Sequence, residues 1–150
     1  MASNKISIAN QVRTGIIANV ADVTNENCKL VLGGTLSQEQ LNEDGYTFVV
    51  SPLERVRNVT VDRCASNWLY QVGVAIFKKL DTRDTAYRIN AASESEIDQV
   101  DSIAEEIEDY LVNTSFGGFY FSDFESDMQL DPTAFDHGYF RHTMMVTFVL

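Results

Sequence analysis

The side chains that could perform chemistry are few in this sequence, and none has a partner at a diagnostic spacing. The two histidines, His137 and His142, lie near the C-terminal end, and the two cysteines, Cys28 and Cys64, form no CxxC pair. A reactive thiol or hydroxyl needs a base within hydrogen-bond reach, and the sequence shows no such pairing. We therefore predict reduced, partly buried cysteines, a partly buried His142 with satisfied hydrogen bonds, and no catalytic residue.

Acidic residues beyond position 122 suggest a calcium loop at first inspection. If Asp123 is position 1 of an EF-hand loop, position 6 is Met128, where the loop requires glycine. Position 12 is Ala134, where the loop requires glutamate. The sequence therefore predicts an acidic surface loop that binds no metal, and it predicts no cofactor. The carboxylates of this loop are those of Asp123, Glu125, Asp127 and Asp131.

Length and charge narrow the possible classes of protein. The chain has 150 residues, 45% of them hydrophobic, which suits one domain with a substantial core. Its net charge is −11, and an acidic chain lacks the basic surface that duplex nucleic-acid binding usually needs. Residues 76–150 hold 15 acidic and 5 basic side chains, so the charge is concentrated there. We predict a single domain over residues 1–150, with no membrane segment and no secretion signal, that stays in the cytoplasm where it is made.

Two long strands are predicted from alternating side chains, over residues 67–80 and 140–150. One face of each is apolar and suits a core. The second faces are small or semi-polar, which favours contact with another subunit or with a water-filled lumen. The predicted core faces hold Trp68, Tyr70, Val72, Val74 and Ile76 in the first strand, and Phe140, His142, Met144, Val146, Phe148 and Leu150 in the second.

Shorter elements are predicted in the first half of the chain. A helix over residues 4–20, capped by Asn4, has an apolar residue at every fourth position, and residues 28–32 are predicted to form a short strand. A strand over 46–50 is expected to end at Ser51-Pro52. The next strand, over 54–62, loses its alternation once, which predicts a bulge near Asn58.

The most acidic element is a predicted helix that follows Ser93. Ser93 and Glu96 have the spacing of a capping box, and Asn113 is a plausible C-cap. No basic residue lies within 94–112, so like charges repel along the helix. The charged face is either simply solvated or a repulsive wall toward acidic partners or DNA. The candidate exposed acidic face consists of Glu94, Asp98, Asp101, Glu105, Glu106, Glu108 and Asp109.

An aromatic segment, predicted as a loop over residues 114–124, follows this helix. Its five aromatic side chains surround Gly117-Gly118. They could form a satellite core, or they could anchor a subunit interface, where Tyr and Phe are enriched. A short strand is predicted after it, over 125–130. The candidate subunit or partner contacts are Gln71, Gly73, Phe119, Tyr120, Phe121, Arg141, Thr143 and Met145.

Strands joined by hairpins and interrupted by two helices predict the α+β class: a single domain with a mainly antiparallel β-sheet and both helices packed on one face. This arrangement resembles the tail terminator (tail completion) proteins of long-tailed bacteriophages. The resemblance covers roughly residues 46–112 and 138–150. It is carried by residues 52–55 (PLER), 70–79 (YQVGVAIFKK), 96–111 (from EID through AEEI to YL) and 140–142 (FRH).

The resemblance implies a structural virion protein and not an enzyme. Such a subunit assembles, in the host cytoplasm, into a homo-oligomeric ring that is commonly a hexamer. The ring caps the phage tail tube, contacts the tail tube protein, and joins the tail to the neck or head-completion protein. DNA passes through the ring without specific binding, and no membrane is involved.

Three alternatives stay open from the residues alone. The first is a neck or head–tail connector protein of similar size. The second is an acidic inhibitor of a host protein that mimics DNA with its carboxylate-rich helix. The third is an enzyme that uses Cys64 or a histidine. Molecular mass in solution discriminates among them, since the ring-forming classes are oligomeric.

Overall fold

The computed structural model of the protein describes residues 3–31, 45–59, 66–79, 91–127 and 139–149. These residues form a five-stranded sheet of order β1-β2-β3-β5-β4, in which only the β1–β2 pair is parallel. The predicted α+β class is confirmed. The elements are α1 (Asn4–Asn19), β1 (Cys28–Leu30), β2 (Tyr46–Val59), β3 (Ser66–Lys79), α2 (Ala91–Val112), β4 (Tyr120–Asp127) and β5 (Tyr139–Val149).

The predicted faces of β3 and β5 are confirmed along the described lengths of both strands. Directly opposite residues of an antiparallel pair share a face, and the register pairs Val72 with Val146 and Tyr70 with Phe148. The predicted core residues of these strands are buried, except Trp68, which is half-buried and packs against the core, and Leu150, which lies outside the described residues.

The first helix is confirmed with a shift of one residue at its start. Ser3 is the N-cap in place of Asn4, because its Oγ accepts a hydrogen bond from the backbone N–H of Ile6. A Cβ on Gly15 would overlap the Tyr110 hydroxyl and lie 3.1 Å from Phe116 Cε1. Glycine therefore lets α1 approach α2 closely. The buried stripe of the helix consists of Ile8, Ala9, Val12 and Ile16.

The prediction that Ser51-Pro52 ends a strand is wrong, because β2 runs through Pro52 without a break. β2 has no β1 partner at Pro52, because the last residue that pairs with β1 is Val50, whose carbonyl oxygen accepts from Val31 N–H at 3.0 Å. Proline is tolerated beside an irregularity that needs no donor, and the register shifts between Pro52 and Arg55. The bulge predicted near Asn58 is therefore displaced toward the proline.

The acidic helix α2 begins at Ala91, so Ser93 lies inside the helix and the predicted capping box is wrong. Its apolar stripe packs on the same side of the sheet as α1, and both helices join one hydrophobic core with β3 and β5. At the other end Asn113 follows the helix, and its Nδ2 donates to Asp109 O at 2.7 Å. The buried stripe consists of Val100, Ile103, Ala104, Ile107 and Leu111.

The strand β4 starts at Tyr120, inside the segment predicted as a loop. A register shift between Phe121 and Asp123 explains the error. Phe121 lies opposite Phe148 and Phe124 opposite Val146, so both aromatic residues face the core although they are three positions apart. The bulge therefore breaks the period of two on which the prediction depended.

Several predictions concern positions outside the described residues, among them Cys64, His137 and the stretch that contains Met128, Asp131 and Ala134. Within the described part of the chain, no helix is long and apolar enough to cross a membrane. The same part contains no group of three or more residues arranged to hold a metal ion. The assignment of residues 1–150 to one domain stays a prediction.

Candidate functional site

A polar chain of three side chains connects α2, β5 and β4. His142 Nδ1 lies 3.2 Å from Asp101 Oδ1, and His142 Nε2 lies 2.8 Å from Ser126 Oγ. An ionised carboxylate can only accept, so Nδ1 carries the proton and donates to Asp101. In the neutral imidazole, Nε2 then accepts from the Ser126 hydroxyl. This places a serine, a histidine and an aspartate in the order that nucleophilic catalysis uses.

The surroundings of this chain favour a structural role. His142 is 6% exposed and lies on the core face of β5, where both ring nitrogens need hydrogen-bond partners. A nucleophile also needs a cleft that holds the substrate. Two clefts in the described part of the chain, of about 420 and 450 Å³, are lined by other residues than Ser126, His142 and Asp101. The histidine therefore ties α2 to the two strands at this side of the sheet.

The outer sheet face is defined as the side of β3 and β5 opposite the helices, from Gln71 to Ala75 and from Thr143 to Thr147. Gly73 pairs with Met145, and a Cβ on Gly73 would lie 3.2 Å from Leu53 Cδ1. Leu53, Gly73 and Met145 thus form a small, half-buried apolar patch. Gln71 and Thr147 flank it on one side, and Ala75 and Thr143 flank it on the other.

The structure therefore brings most of the predicted outer-face contacts together. Gln71, Gly73, Thr143 and Met145 are neighbours, and Arg141 pairs with Phe77 further along the same face. All of the five predicted residues on this face are half-buried.

The predicted aromatic contacts have different environments. Phe119 is 4% exposed and makes an edge-to-face contact with Tyr70, with ring centroids 5.5 Å apart, so its side chain belongs to the core. Phe116 is also buried, and it contacts Phe148 and Tyr110 edge to face. Phe121 packs against the core from a half-buried position. Only Tyr120, at 64% exposure, presents its ring to solvent. Phe119 is therefore corrected from a contact candidate to a core residue.

The carboxylates of α2 differ in exposure along the predicted acidic face. Asp101 is half-buried because it pairs with His142, and Glu108 is also half-buried. The other members, Glu94, Asp98, Glu105, Glu106 and Asp109, are exposed.

Two of these exposed residues, Asp98 and Glu106, line the 450 Å³ cleft with Asp22 and Tyr46. Burial raises the pKa of the Tyr46 hydroxyl, and the nearby Asp22 and Glu96 raise it further. The cleft is therefore electronegative.

Arg13 stabilises the edge of the sheet formed by β1, a role that the sequence pattern did not indicate. Its Nε and Nη2 donate to Cys28 O at 3.0 and 2.8 Å, and Nη2 also donates to Asn25 Oδ1 at 3.0 Å. Cys28 is a free, buried thiol, and burial raises its pKa to about 11 although Arg13 opposes the shift. A neutral thiol is a weak nucleophile, so Cys28 is a packing residue.

Sequence reasoning also missed the Ser126–His142–Asp101 chain. Its members lie on three elements that are distant in sequence, so no short motif contains them. The one available signal was a histidine on the apolar face of β5, which predicted that hydrogen-bond partners must exist.

Comparisons with solved structures show a weak structural similarity. No protein-family model matches the chain, and no curated protein matches it in sequence. A chain from a solved structure of the virion of a native gene transfer agent particle aligns with a TM-score of 0.47 and 13% identity. The alignment covers 98% of this chain and 92% of that chain. A likeness at this level assigns neither a family nor a function.

Proposed function

We propose that this chain is a structural subunit of a phage-like virion, and that it forms a ring that caps the tail tube and joins the tail to the head. The observation that carries the proposal is the outer sheet face. An apolar patch of Leu53, Gly73 and Met145, with the polar residues Gln71, Thr143 and Thr147 beside it, fits an interface that has an apolar centre and a polar rim.

The sequence resemblance to tail terminators supports the same function. The blocks that carry it fall on β2, β3, α2 and the start of β5, which are three of the five strands and the acidic helix. Large net charge of one sign keeps free subunits soluble and disfavours contact between like faces, so assembly requires specific surfaces. Under this proposal the partners are other copies of the chain, the tail tube protein and a neck or head-completion protein.

A gene deletion in the parent particle tests the terminator role directly. Without a terminator, tail tubes have no stop signal, so electron micrographs should show tubes of abnormal and variable length. Uniform tubes of normal length that fail to join heads would instead identify a neck protein. Particles that assemble normally would contradict both virion roles.

A pair of matched variants tests the proposed interface. Met145→Glu places a charge in the outer-face patch, whereas Val112→Glu places the same charge at an exposed apolar position, 36% exposed, at the end of α2. We expect native mass spectrometry to show a ring for the wild type and for Val112→Glu, and subunits for Met145→Glu. Circular dichroism must show that both variants are folded. A ring that tolerates Met145→Glu would contradict the assignment of this face.

One observation favours a second candidate function. Five exposed carboxylates on α2 present a dense negative surface, which is what an acidic mimic of DNA needs. Such an inhibitor would act as a free subunit that binds a basic host protein. A monomer at high concentration in the mass measurement, together with normal tails in the deletion, would support this candidate over the ring.

A further inference from the structure

The strand β4 leaves one edge of the sheet open in the described part of the chain. Seven of its eight residues pair with β5 on one side, with Ser122 at the register shift, and no described strand pairs with the other side. Ser122, Asp123, Glu125 and Ser126 are all exposed. A row of backbone N–H and C=O groups at such an edge can pair with an added strand. We name this side of Tyr120–Asp127 the β4 edge.

The opposite edge of the sheet is shorter, and its backbone groups at Cys28 are already hydrogen-bonded within the chain. β1 has only three residues, its Cys28 carbonyl accepts two hydrogen bonds from Arg13, and Cys28 N–H donates to Thr24 O at 3.1 Å. Its backbone groups are therefore already used at this position. Between the two edges, β4 offers the longer row of backbone groups.

The β4 edge carries acidic side chains and one exposed aromatic side chain. Asp123 and Glu125 pair with Thr147 and Met145, so these carboxylates lie on the outer sheet face. On the helix side α2 packs against β4, and this helix has no basic residue from Glu94 onward. A strand added here therefore meets the carboxylates of Asp123 and Glu125 on the outer face of the sheet. Tyr120, 64% exposed, stands at the start of the edge.

We propose that the β4 edge binds an extended, lysine- or arginine-bearing segment of a partner protein by strand addition. Backbone pairing supplies a binding mode that any extended segment can use, and the carboxylates select basic side chains. Asp123 Oδ1 already accepts from Phe124 N–H at 2.8 Å, so the added strand uses the remaining groups of the edge.

A second copy of β4 is a poor occupant of this edge. It would bring Asp123 and Glu125 of one copy toward the same carboxylates of the other, and opposed like charges disfavour the pairing. The β4 edge is therefore proposed to bind a protein other than this chain. This binding does not depend on formation of the proposed ring.

The test uses a defined probe and the full-length protein. The probe is a fluorescein-labelled octapeptide of alternating Lys and Val with blocked ends, and its binding is measured by fluorescence anisotropy at ~0.15 M salt. We expect saturable binding, and protection from hydrogen exchange of those amides within 122–126 that have no acceptor inside the chain. An octapeptide of alternating Glu and Val should not bind. The Lys–Val peptide with N-methylated backbone amides should bind at least about tenfold more weakly, because it cannot pair.

Matched charge reversals locate the site. The double variant Asp123→Lys and Glu125→Lys should weaken binding at least about tenfold, since two attractive contacts become repulsive. The double variant Asp98→Lys and Glu106→Lys makes the same change in net charge at the cleft beside Tyr46, and it should weaken binding less than about twofold. Both variants must retain the wild-type thermal transition.

Four results would overturn the proposal. Equal weakening by the two double variants would show that net charge alone attracts the peptide. Undiminished binding of the N-methylated peptide would show that no strand is added. Failure of the wild type to bind the Lys–Val peptide would reject a basic occupant. A homo-oligomer that dissociates only in the β4-edge variant would identify the edge as a contact between copies.

Discussion

The two edge strands of the sheet differ in both backbone and charge. β1 is short, its Cys28 is buried, and Arg13 from α1 occupies its carbonyl oxygen. β4 is longer and exposed, and it has three carboxylates and no basic residue. The β1 edge is short and is hydrogen-bonded within the chain at Cys28, while the β4 edge offers a longer row of backbone groups and carries negative charge. This small sheet therefore limits uncontrolled extension in two ways: hydrogen bonds occupy backbone groups at the β1 edge, and carboxylates repel acidic segments at the β4 edge.

The helices above the sheet follow the same division. α1 contains two basic residues, Lys5 and Arg13, and no acidic residue, whereas α2 contains eight acidic residues and no basic one. α1 packs over β1 and β2, and α2 packs over β5 and β4. The charge imbalance between the halves of the sequence thus becomes a charge difference between the two ends of the sheet.

Among the three changes that test this contrast, removing Arg13 should lower the free energy of unfolding the most, because Arg13 holds β1 through hydrogen bonds. Arg13→Met keeps much of the side-chain volume but leaves Cys28 O and Asn25 Oδ1 without their charged donor. Hydrogen bonds to charged groups contribute roughly 1.5–3 kcal/mol, so we expect the free energy of unfolding to fall by about 2–3 kcal/mol. Urea denaturation followed by far-UV circular dichroism measures this change.

Two control variants accompany that measurement. Arg13→Lys keeps the charge without the planar fork and should lose about half as much stability. Lys5→Met removes a charge from the same helix and should cost less than about 0.5 kcal/mol. If Arg13→Met costs no more than Lys5→Met, Arg13 does not hold β1, and the contrast between the edges fails.

The Arg13 contacts also show where prediction from this sequence reaches its limit. Periodicity identified the core faces of β3 and β5, because burial on one side of a strand leaves a regular trace in sequence. The bonds of Arg13 to a backbone carbonyl leave no such trace, since any residue type supplies that acceptor. The partners of His142 were out of reach for a similar reason, because Asp101 and Ser126 lie on other elements.

The errors in element boundaries have local physical causes. Pro52 usually ends a strand, but here the strand on its β1 side has already ended and a register shift follows. The aromatic segment lacks a period of two because of the bulge beyond Phe121. Ser93 and Glu96 have capping-box spacing by sequence, yet the helix already begins at Ala91. In each case contacts across the sheet or earlier in the chain override a short local signal.

The second prediction concerns His142, which connects β4 to α2 through its hydrogen bonds to Ser126 and Asp101. His142→Gln shortens the reach of the side chain, so one of the two hydrogen bonds is lost, and we expect a loss of about 1–2 kcal/mol. Asp101→Asn should cost a similar or smaller amount. Because these residues are in contact, the double variant should cost less than the sum of the single variants.

The same residues decide between a structural role and catalysis. A fluorophosphonate probe reacts with activated serines, and intact-mass spectrometry would detect the adduct. We expect no labelling of the wild type at Ser126. Labelling that disappears in His142→Gln and Ser126→Ala would contradict the structural role and would support a hydrolytic one.

The smallest change in the free energy of unfolding is expected from variants of α2 that alter only exposed charges. The triple variant Glu105→Lys, Glu106→Lys and Asp109→Lys leaves the buried stripe intact, and all three side chains are exposed. Lysine at position 105 lies four residues from Asp101 and three from Glu108, and lysines near the C-terminal end of a helix interact favourably with its dipole. We therefore expect the free energy of unfolding to change by less than about 0.5 kcal/mol, or to increase slightly.

Ile107→Lys is the control for this triple variant, because it introduces a lysine into the same helix at a fully buried position. It should unfold the protein or destabilise it by several kcal/mol, since a charge in the core has no partner. Thermal melts at ~0.15 M salt compare the two proteins, and measured masses show whether assembly changes.

If the triple variant fails to fold, this face of α2 is needed in a buried contact. If it folds but no longer assembles, the acidic face contacts a basic surface in the particle. Normal folding and normal assembly together would show that neither process requires the negative charge of these three positions.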